Sequence, residues 1–369
     1  MQASDPASVS APLSRLIHAA IARAGGWLPF DRFMAMALYA PGLGYYASHG
    51  RKFGLLPQSG SDFVTAPELS PLFGRALARQ LAQALQASGT RELWEFGAGS
   101  GALAAQLLEA LGDAIERYTI VELSGSLRER QRARLAAHGA KLQWVDALPD
   151  ALAGVIVGNE LLDAMPVQLL HFDGRAWLER GVIAQGEAFA WADRPTALAP
   201  PAGGPFAPGT VTEVHPQARA FIATLAERLS RGAAFFIDYG FPEAEYYHPQ
   251  RSGGTLMCHR AHQADTDPLV DVGAKDITAH VDFTGIALAA QDAGLDVLGY
   301  TTQAHFLFNC GVMELLASAD LQARANAQKL LTEHEMGELF KVIGFAKGCD
   351  PVFNDAAIGF AHGDRTHTL

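Results

Sequence analysis

Apolar and polar positions change their period along this chain, and the changes divide it. From Pro12 onward, Leu13, Leu16, Ile17, Ala20, Ile21 and Ala24 recur every three or four residues, which predicts an amphipathic helix with one face to be covered. A second helix opens near Asp31 and stops before the turn dipeptide Pro41-Gly42. An irregular stretch follows, through Gly44-Tyr45-Tyr46 and Ser61-Asp62-Phe63-Val64-Thr65-Ala66-Pro67-Glu68, long enough to be functional or mobile. Ser70-Pro71 then sets a cap and a first-turn proline ahead of a helix carried by Leu72, Phe73, Ala76, Leu77, Leu81, Ala84 and Leu85.

From Glu92 short apolar runs alternate with helical patterns. Strands are predicted at 93–96, 118–121, 142–145, 155–157 and 234–237, and late ones at 296–301 and 340–345. Such alternation is the sequence form of an α/β fold, a doubly wound, seven-stranded, mostly parallel sheet covered on both faces. One step is awkward. The few residues around 148–152 separate the third and fourth strands, fewer than the dozen or so that a parallel crossover usually takes. An interruption at 166–212 has its own pattern: 167–172 and 175–182 flank Asp173-Gly174, a hairpin signal, and a proline-rich loop runs from Pro195 to Pro208. The aromatic stretch 300–308 reads as core strand. The chain is thus expected to comprise a helical and loop segment at 1–70, the first half of the core at 71–165, an inserted β arm at 166–212, and the second half at 213–369 with a loop-rich lid region at about 240–281.

Composition narrows the function. The 369 residues are 49% apolar, without the roughly 18-residue apolar run of a membrane span. A net charge of −11 argues against binding nucleic acid through a basic face. Cys258, Cys310 and Cys349 are odd in number and far apart, which fits neither a disulfide framework nor zinc spacing. The N-terminus lacks an apolar signal core, so a cytoplasmic protein is expected.

Glu95-Phe96-Gly97-Ala98-Gly99-Ser100-Gly101 lies between a predicted strand and a helix, where glycines let a ligand approach the backbone amides. The same loop satisfies the G-x-G-x-x-A dinucleotide fingerprint. Three acids favour S-adenosylmethionine instead. Glu95 precedes the first glycine by two positions, where a carboxylate meets a cationic ligand rather than a pyrophosphate. Glu122 ends the second strand, placed for ribose hydroxyls, and Asp146 ends the third, placed for the adenine amino group. The expected cofactor contacts are therefore Glu95, Gly97, Ala98, Gly99, Gly101, Glu122, Leu123, Asp146, Ala147 and Asn159. The fourth strand runs into Gly158-Asn159-Glu160-Leu161-Leu162-Asp163-Ala164, beside the point where strand order reverses in such a sheet. Asn159, Glu160 and Asp163 are thus expected where the transferred methyl emerges; the Pro-Pro-Tyr that follows this asparagine in methyltransferases acting on adenine or glutamine amides is missing. His259 and His262 are three apart but want a further ligand at workable spacing, so no metal is expected. His280 is placed to contact substrate or accept a proton.

The glycine loop, together with Gly44-Tyr45-Tyr46, Asp62-Phe63-Val64-Thr65-Ala66-Pro67-Glu68, Asn159-Glu160-Leu161-Leu162-Asp163-Ala164, Asp238-Tyr239-Gly240 and Asp276-Ile277-Thr278-Ala279-His280-Val281-Asp282-Phe283, resembles the MidA-like family of class I methyltransferases. That family includes the mitochondrial complex I assembly protein that methylates arginine. The resemblance implies methyl transfer to an exposed arginine of a protein, in eukaryotes a respiratory complex I subunit in the mitochondrial matrix. Glu160 and Asp163 would then hold the guanidinium fork and accept its proton, with Asp62 and Glu68 closing over cofactor or substrate. Ser61 stands where the family pattern has glycine, and an aspartate three residues on replaces the second glutamate of well-known arginine methyltransferases. Two other readings stay open: a small amine or hydroxyl metabolite as acceptor, and an assembly chaperone that binds the cofactor without chemistry. An NAD-linked oxidoreductase is the outside case.

Overall fold

Residues 6–47, 64–201, 203–260 and 263–369 are described by a computed structural model. They divide into two units, one made of the described residues within 1–63, 163–218 and 241–282, the other of 64–162, 219–240 and 283–369.

The second unit holds the sheet. Its strands are β1 (Glu92–Phe96), β2 (Arg117–Val121), β3 (Leu142–Val145), β4 (Leu152–Asn159), β5 (Leu229–Phe241), β6 (Asp296–Thr302) and β7 (Phe340–Lys347). They lie in the order β3-β2-β1-β4-β5-β7-β6. The first five are parallel, and β7 runs antiparallel to both β5 and β6. Val155, Ile156 and Val157 are wholly buried, as a central strand covered on both faces requires. Helices Pro71–Ser88 and Ala102–Leu111 bring Leu77, Leu81, Leu103 and Leu107 into one cluster with Tyr118, Val155 and Phe235. The Ser70 hydroxyl accepts Leu72 N at 3.3 Å to start the first of these helices.

The awkward step has a geometric reason. Leu142, Tyr118, Leu93 and Val155 share one level of the sheet, so β3 at the edge and β4 three strands inward are in register. Returning from Val145 to Leu152 means crossing roughly 14 Å of sheet and descending roughly 20 Å, close to the ~25 Å that seven extended steps can span. No helix fits in that link, and none forms. The strand expected over 300–308 ends early. At Thr302 the side chain accepts His305 N at 3.3 Å and caps helix Gln303–Asn309.

In the first unit, helices Pro6–Arg23 and Phe30–Tyr39 share a core with two antiparallel sheets. Leu13, Ile17, Phe33, Leu169, Val182 and Ile277 are all buried in it. The first helix starts at Pro6 rather than at Pro12, which lies inside it and has no amide to donate to the preceding turn. The predicted hairpin is strand Gln168–Phe172 against Trp177–Gln185, and Asp173 Oδ1 fixes its turn by accepting Arg175 N at 2.7 Å and Ala176 N at 2.8 Å. The sequence reading passes over a further strand, Ala188–Pro195, which pairs along Trp177–Gln185. Phe189 and Trp191 anchor it, packing on Phe33 and Phe30 with ring centroids 5.6 and 5.4 Å apart. Strands Met257–Arg260, Gln263–Asp265 and Asp276–Thr278 form the second sheet. Among the described residues, no helix is long and apolar enough to cross a membrane.

Candidate active site

Register builds the site. Glu95 pairs with Ile120 of β2 and Val157 of β4, and Ile120 pairs with Trp144 of β3. Two residues further on, Gly97, Glu122, Asp146 and Asn159 therefore stand at one level beyond the carboxyl ends of four neighbouring strands. Side chains alternate faces along a strand, so Glu95, Glu122, Asp146 and Asn159 all project to the same side. Glu95 lies one pleat below the others and is buried, as is Glu122, whereas Asp146 and Ala147 are exposed. Leu123 is also bare, an apolar side chain 78% exposed beside Glu122.

Burial raises Glu95 to about 7, against the Tyr118 hydroxyl that donates to it at 2.7 Å, and the Glu122 carboxylate pushes in the same direction as burial. Glu122 is raised by burial as well, held back by hydrogen bonds from Ser124 N at 2.8 Å and Gln131 Nε2 at 3.2 Å. Two carboxylates out of water on one face favour a cation between the loop and the sheet.

The loop itself turns through left-handed conformations at Gly97, Gly99 and Gly101, with φ of 65°, 52° and 80°. A Cβ on Gly97 would also meet Leu161 Cδ1 at 3.2 Å, so both space and conformation select glycine there. Sequence reasoning missed Gln131, on helix Gly125–Arg134. It is fully buried, donates to Gly99 O at 3.0 Å as well as to Glu122, and accepts Trp144 Nε1 at 2.9 Å. One amide thus ties the loop, the end of β2 and β3 together. A lone glutamine on a strongly polar helix offers no sequence signal for that role.

The turn after β4 is held from β5. Asp238 is 1% exposed, and its Oδ2 accepts Leu161 N at 3.1 Å and Leu162 N at 2.8 Å. Glu160 N donates to Ile237 O at 2.8 Å. Between these fixed points Glu160 takes φ 50°, a left-handed conformation that costs a branched or acidic side chain energy and persists where the surroundings impose it. Asn159 Nδ2 donates to Glu160 Oε1 at 3.0 Å. The other end of that amide, Asn159 Oδ1, is buried without a hydrogen-bond partner among the described residues.

Glu68, on helix Ala66–Leu69, is engaged by Arg134 Nη1 at 2.7 Å and by the Ser100 hydroxyl. Asp163 belongs to the first unit; it is buried, and its carbonyl accepts Ala279 N at 3.0 Å. In that unit His280 stacks on Phe241 with centroids 5.2 Å apart, and its backbone N donates to Thr255 Oγ1 at 3.0 Å. Tyr46 donates to Asp276 Oδ2 at 2.8 Å. Asp62, Ser61 and His262 lie outside the described residues, and His259 is partly buried in its strand.

A family model described as S-adenosyl-L-methionine-dependent methyltransferase matches residues 76–301. A crystal structure of a superfamily member from Burkholderia thailandensis, bound to S-adenosyl-homocysteine, is 52% identical and covers 100% of this chain and 99% of its own, with a TM-score of 0.95. Among curated proteins, the mitochondrial protein arginine methyltransferase NDUFAF7 of Danio rerio is 27% identical over 364 residues, 86% of this chain and 83% of the relative. The Homo sapiens protein of the same name is 28% identical over 331 residues, 78% of this chain and 70% of the relative.

Proposed function

Since the chain belongs to the MidA-like family of S-adenosyl-L-methionine-dependent methyltransferases, we propose that the group it methylates is an arginine guanidinium on a protein. The methyltransferase class and the cofactor follow from that membership; the acceptor is our inference. The residues present suit the cofactor. A glycine loop leaves its backbone approachable, a buried Asn159 Oδ1 lacks a hydrogen-bond partner among the described residues, and two buried carboxylates on one face want a cation. When bound, S-adenosylmethionine supplies an electrophilic methyl on a positively charged sulfur. Glu95 is assigned to its amino group, Glu122 to the ribose hydroxyls, Asp146 to the adenine amino group, and Leu123 with Ala147 to the flanks of the base. Gly97, Ala98, Gly99 and Gly101 supply the backbone that the ligand approaches.

A guanidinium stays protonated at neutral pH and is a poor nucleophile. Its acceptor site must orient the planar fork, draw charge to one end and take up a proton as the nitrogen forms its new bond. Glu160 suits that work. The single observation carrying this reading is its left-handed φ of 50°, imposed by Asp238 and Ile237 O, which holds a carboxylate beside Asn159 at the carboxyl end of a central strand. Strain of this kind gathers at working sites. The curated relatives, named as protein arginine methyltransferases, support the same acceptor. A respiratory complex I subunit or a similar protein is the class of target we propose.

The test is incubation with methyl-labelled cofactor and extract from a deletion strain. We expect label on arginine of one or a few proteins. With Glu160→Gln that label should fall at least tenfold while S-adenosyl-homocysteine affinity stays within a factor of about two, as for a group that acts on the acceptor alone. Label in small molecules only would transfer the acceptor to the metabolite class.

A further inference from the structure

Glu68 is an acid in a motif that the sequence marks for chemistry, yet its neighbours are those of a clamp. Arg134 meets it as a fork, Nη1 to Oε1 at 2.7 Å and Nη2 to Oε2 at 3.4 Å, and the Glu68 side chain is only 11% exposed. Ser100, between two left-handed glycines of the loop, donates its hydroxyl to Glu68 Oε1 and also receives Arg134 Nη1. The same guanidinium reaches Ser100 O at 3.4 Å. Three residues earlier on that helix, one turn away, Gln131 holds Gly99 O at 3.0 Å. Consecutive loop carbonyls are therefore gripped by side chains from one helix face, and Glu68 secures the outer grip. Its own helix is fixed in turn: Gln106 Nε2 donates to Pro67 O at 2.7 Å while Gln106 Oε1 accepts Gly74 N at 3.0 Å.

We propose that Glu68, together with Arg134, is a positioning residue of the cofactor site, fixing the Gly99-Ser100-Gly101 backbone through Ser100 and taking no part at the reacting atoms. The proposal rests on the reading that this loop carries S-adenosylmethionine. A carboxylate locked to a guanidinium and a hydroxyl on the loop sets where the loop amides and carbonyls point. Loosening it should weaken ligand binding without slowing the loaded enzyme.

Calorimetric titration of S-adenosyl-homocysteine into the full chain tests this. Glu68→Gln and Arg134→Met should each weaken binding about tenfold, and the double variant by clearly less than the hundredfold of independent sites, because the two side chains share one network around Ser100. Reversing the pair with Glu68→Arg and Arg134→Glu should recover part of the affinity. In the labelled-extract assay, Glu68→Gln should raise the KM for cofactor and leave kcat near wild type. A fall in kcat with unchanged affinity would overturn the proposal, making Glu68 a catalytic residue. So would a lowered melting temperature with unchanged affinity, which is all that a merely structural ion pair predicts. Should Glu68→Gln not fold, Arg134→Lys, which keeps the charge but loses the fork, carries the same test. Failure of the wild-type chain to take up the ligand would sink the loop reading itself, an outcome separate from any variant.

Discussion

At the scale of the residue, Glu95 shows how burial turns a common side chain into a responsive one. Out of water, with Glu122 nearby and one hydroxyl in support, it is half protonated near neutral pH, since its folded value is about 7. The sign follows from linkage. An acid whose folded pKa is raised favours the protonated form, so its contribution to stability is fullest below the usual carboxylate range and is lost as pH rises through about 7. A cation brought beside it favours the ionised form. Affinity for S-adenosyl-homocysteine should therefore rise between about pH 5.5 and 7, below the range where a free amino group loses its own proton. Calorimetry across that window should show the rise in the native chain and a flat profile in Glu95→Gln. A rise that survives Glu95→Gln would assign it to another group. The acids at strand ends were legible in the sequence because strand position alone puts them there. Gln131 was not, and Asp238 showed only as part of a motif, since what each does depends on partners brought in from other strands and loops.

At the scale of the element, the turn between β4 and its sequel depends on a carboxylate 76 or more positions away in the chain. Asp238→Asn keeps the shape but turns a donor toward amides that want an acceptor. A loss of about 1–3 kcal/mol is expected, the usual effect of leaving a buried donor unsatisfied. Urea denaturation should show the midpoint fall with the m-value unchanged. Methylation should fall as well, because Glu160 loses one of the constraints on its φ. Elements whose cause is local could be read directly: Ser70-Pro71 opens a helix, Asp173-Gly174 turns a hairpin, and the alternating runs from Glu92 become parallel strands. Strand Ala188–Pro195 escaped because proline at its end looked like a loop, whereas pairing to Trp177–Gln185 and burial of Phe189 and Trp191 decide its state. The 300–308 stretch was misread for the converse reason: Thr302 caps a helix just where apolar content suggested more strand.

At the scale of the whole molecule, three stretches separated by up to a hundred residues share one core in the first unit. Phe33, wholly buried there, gives a direct test. Phe33→Ala should cost about 3–5 kcal/mol, the range for emptying a buried aromatic site. Hydrogen exchange should then quicken in Gln168–Phe172 and Asp276–Thr278 as well as in Phe30–Tyr39. Unaltered exchange in Asp276–Thr278 would mean the stretches do not unfold together. Local pattern by itself determined the strand–helix alternation, the glycine loop and the acids at the strand tips, because periodicity and backbone freedom act over a few residues. Which distant stretches join, that the β3–β4 link must run without a helix, and that Glu160 is held in a left-handed bend were decided by tertiary structure. Each of those depends on register between strands and on contacts across the fold, and neither is encoded by neighbours in the chain.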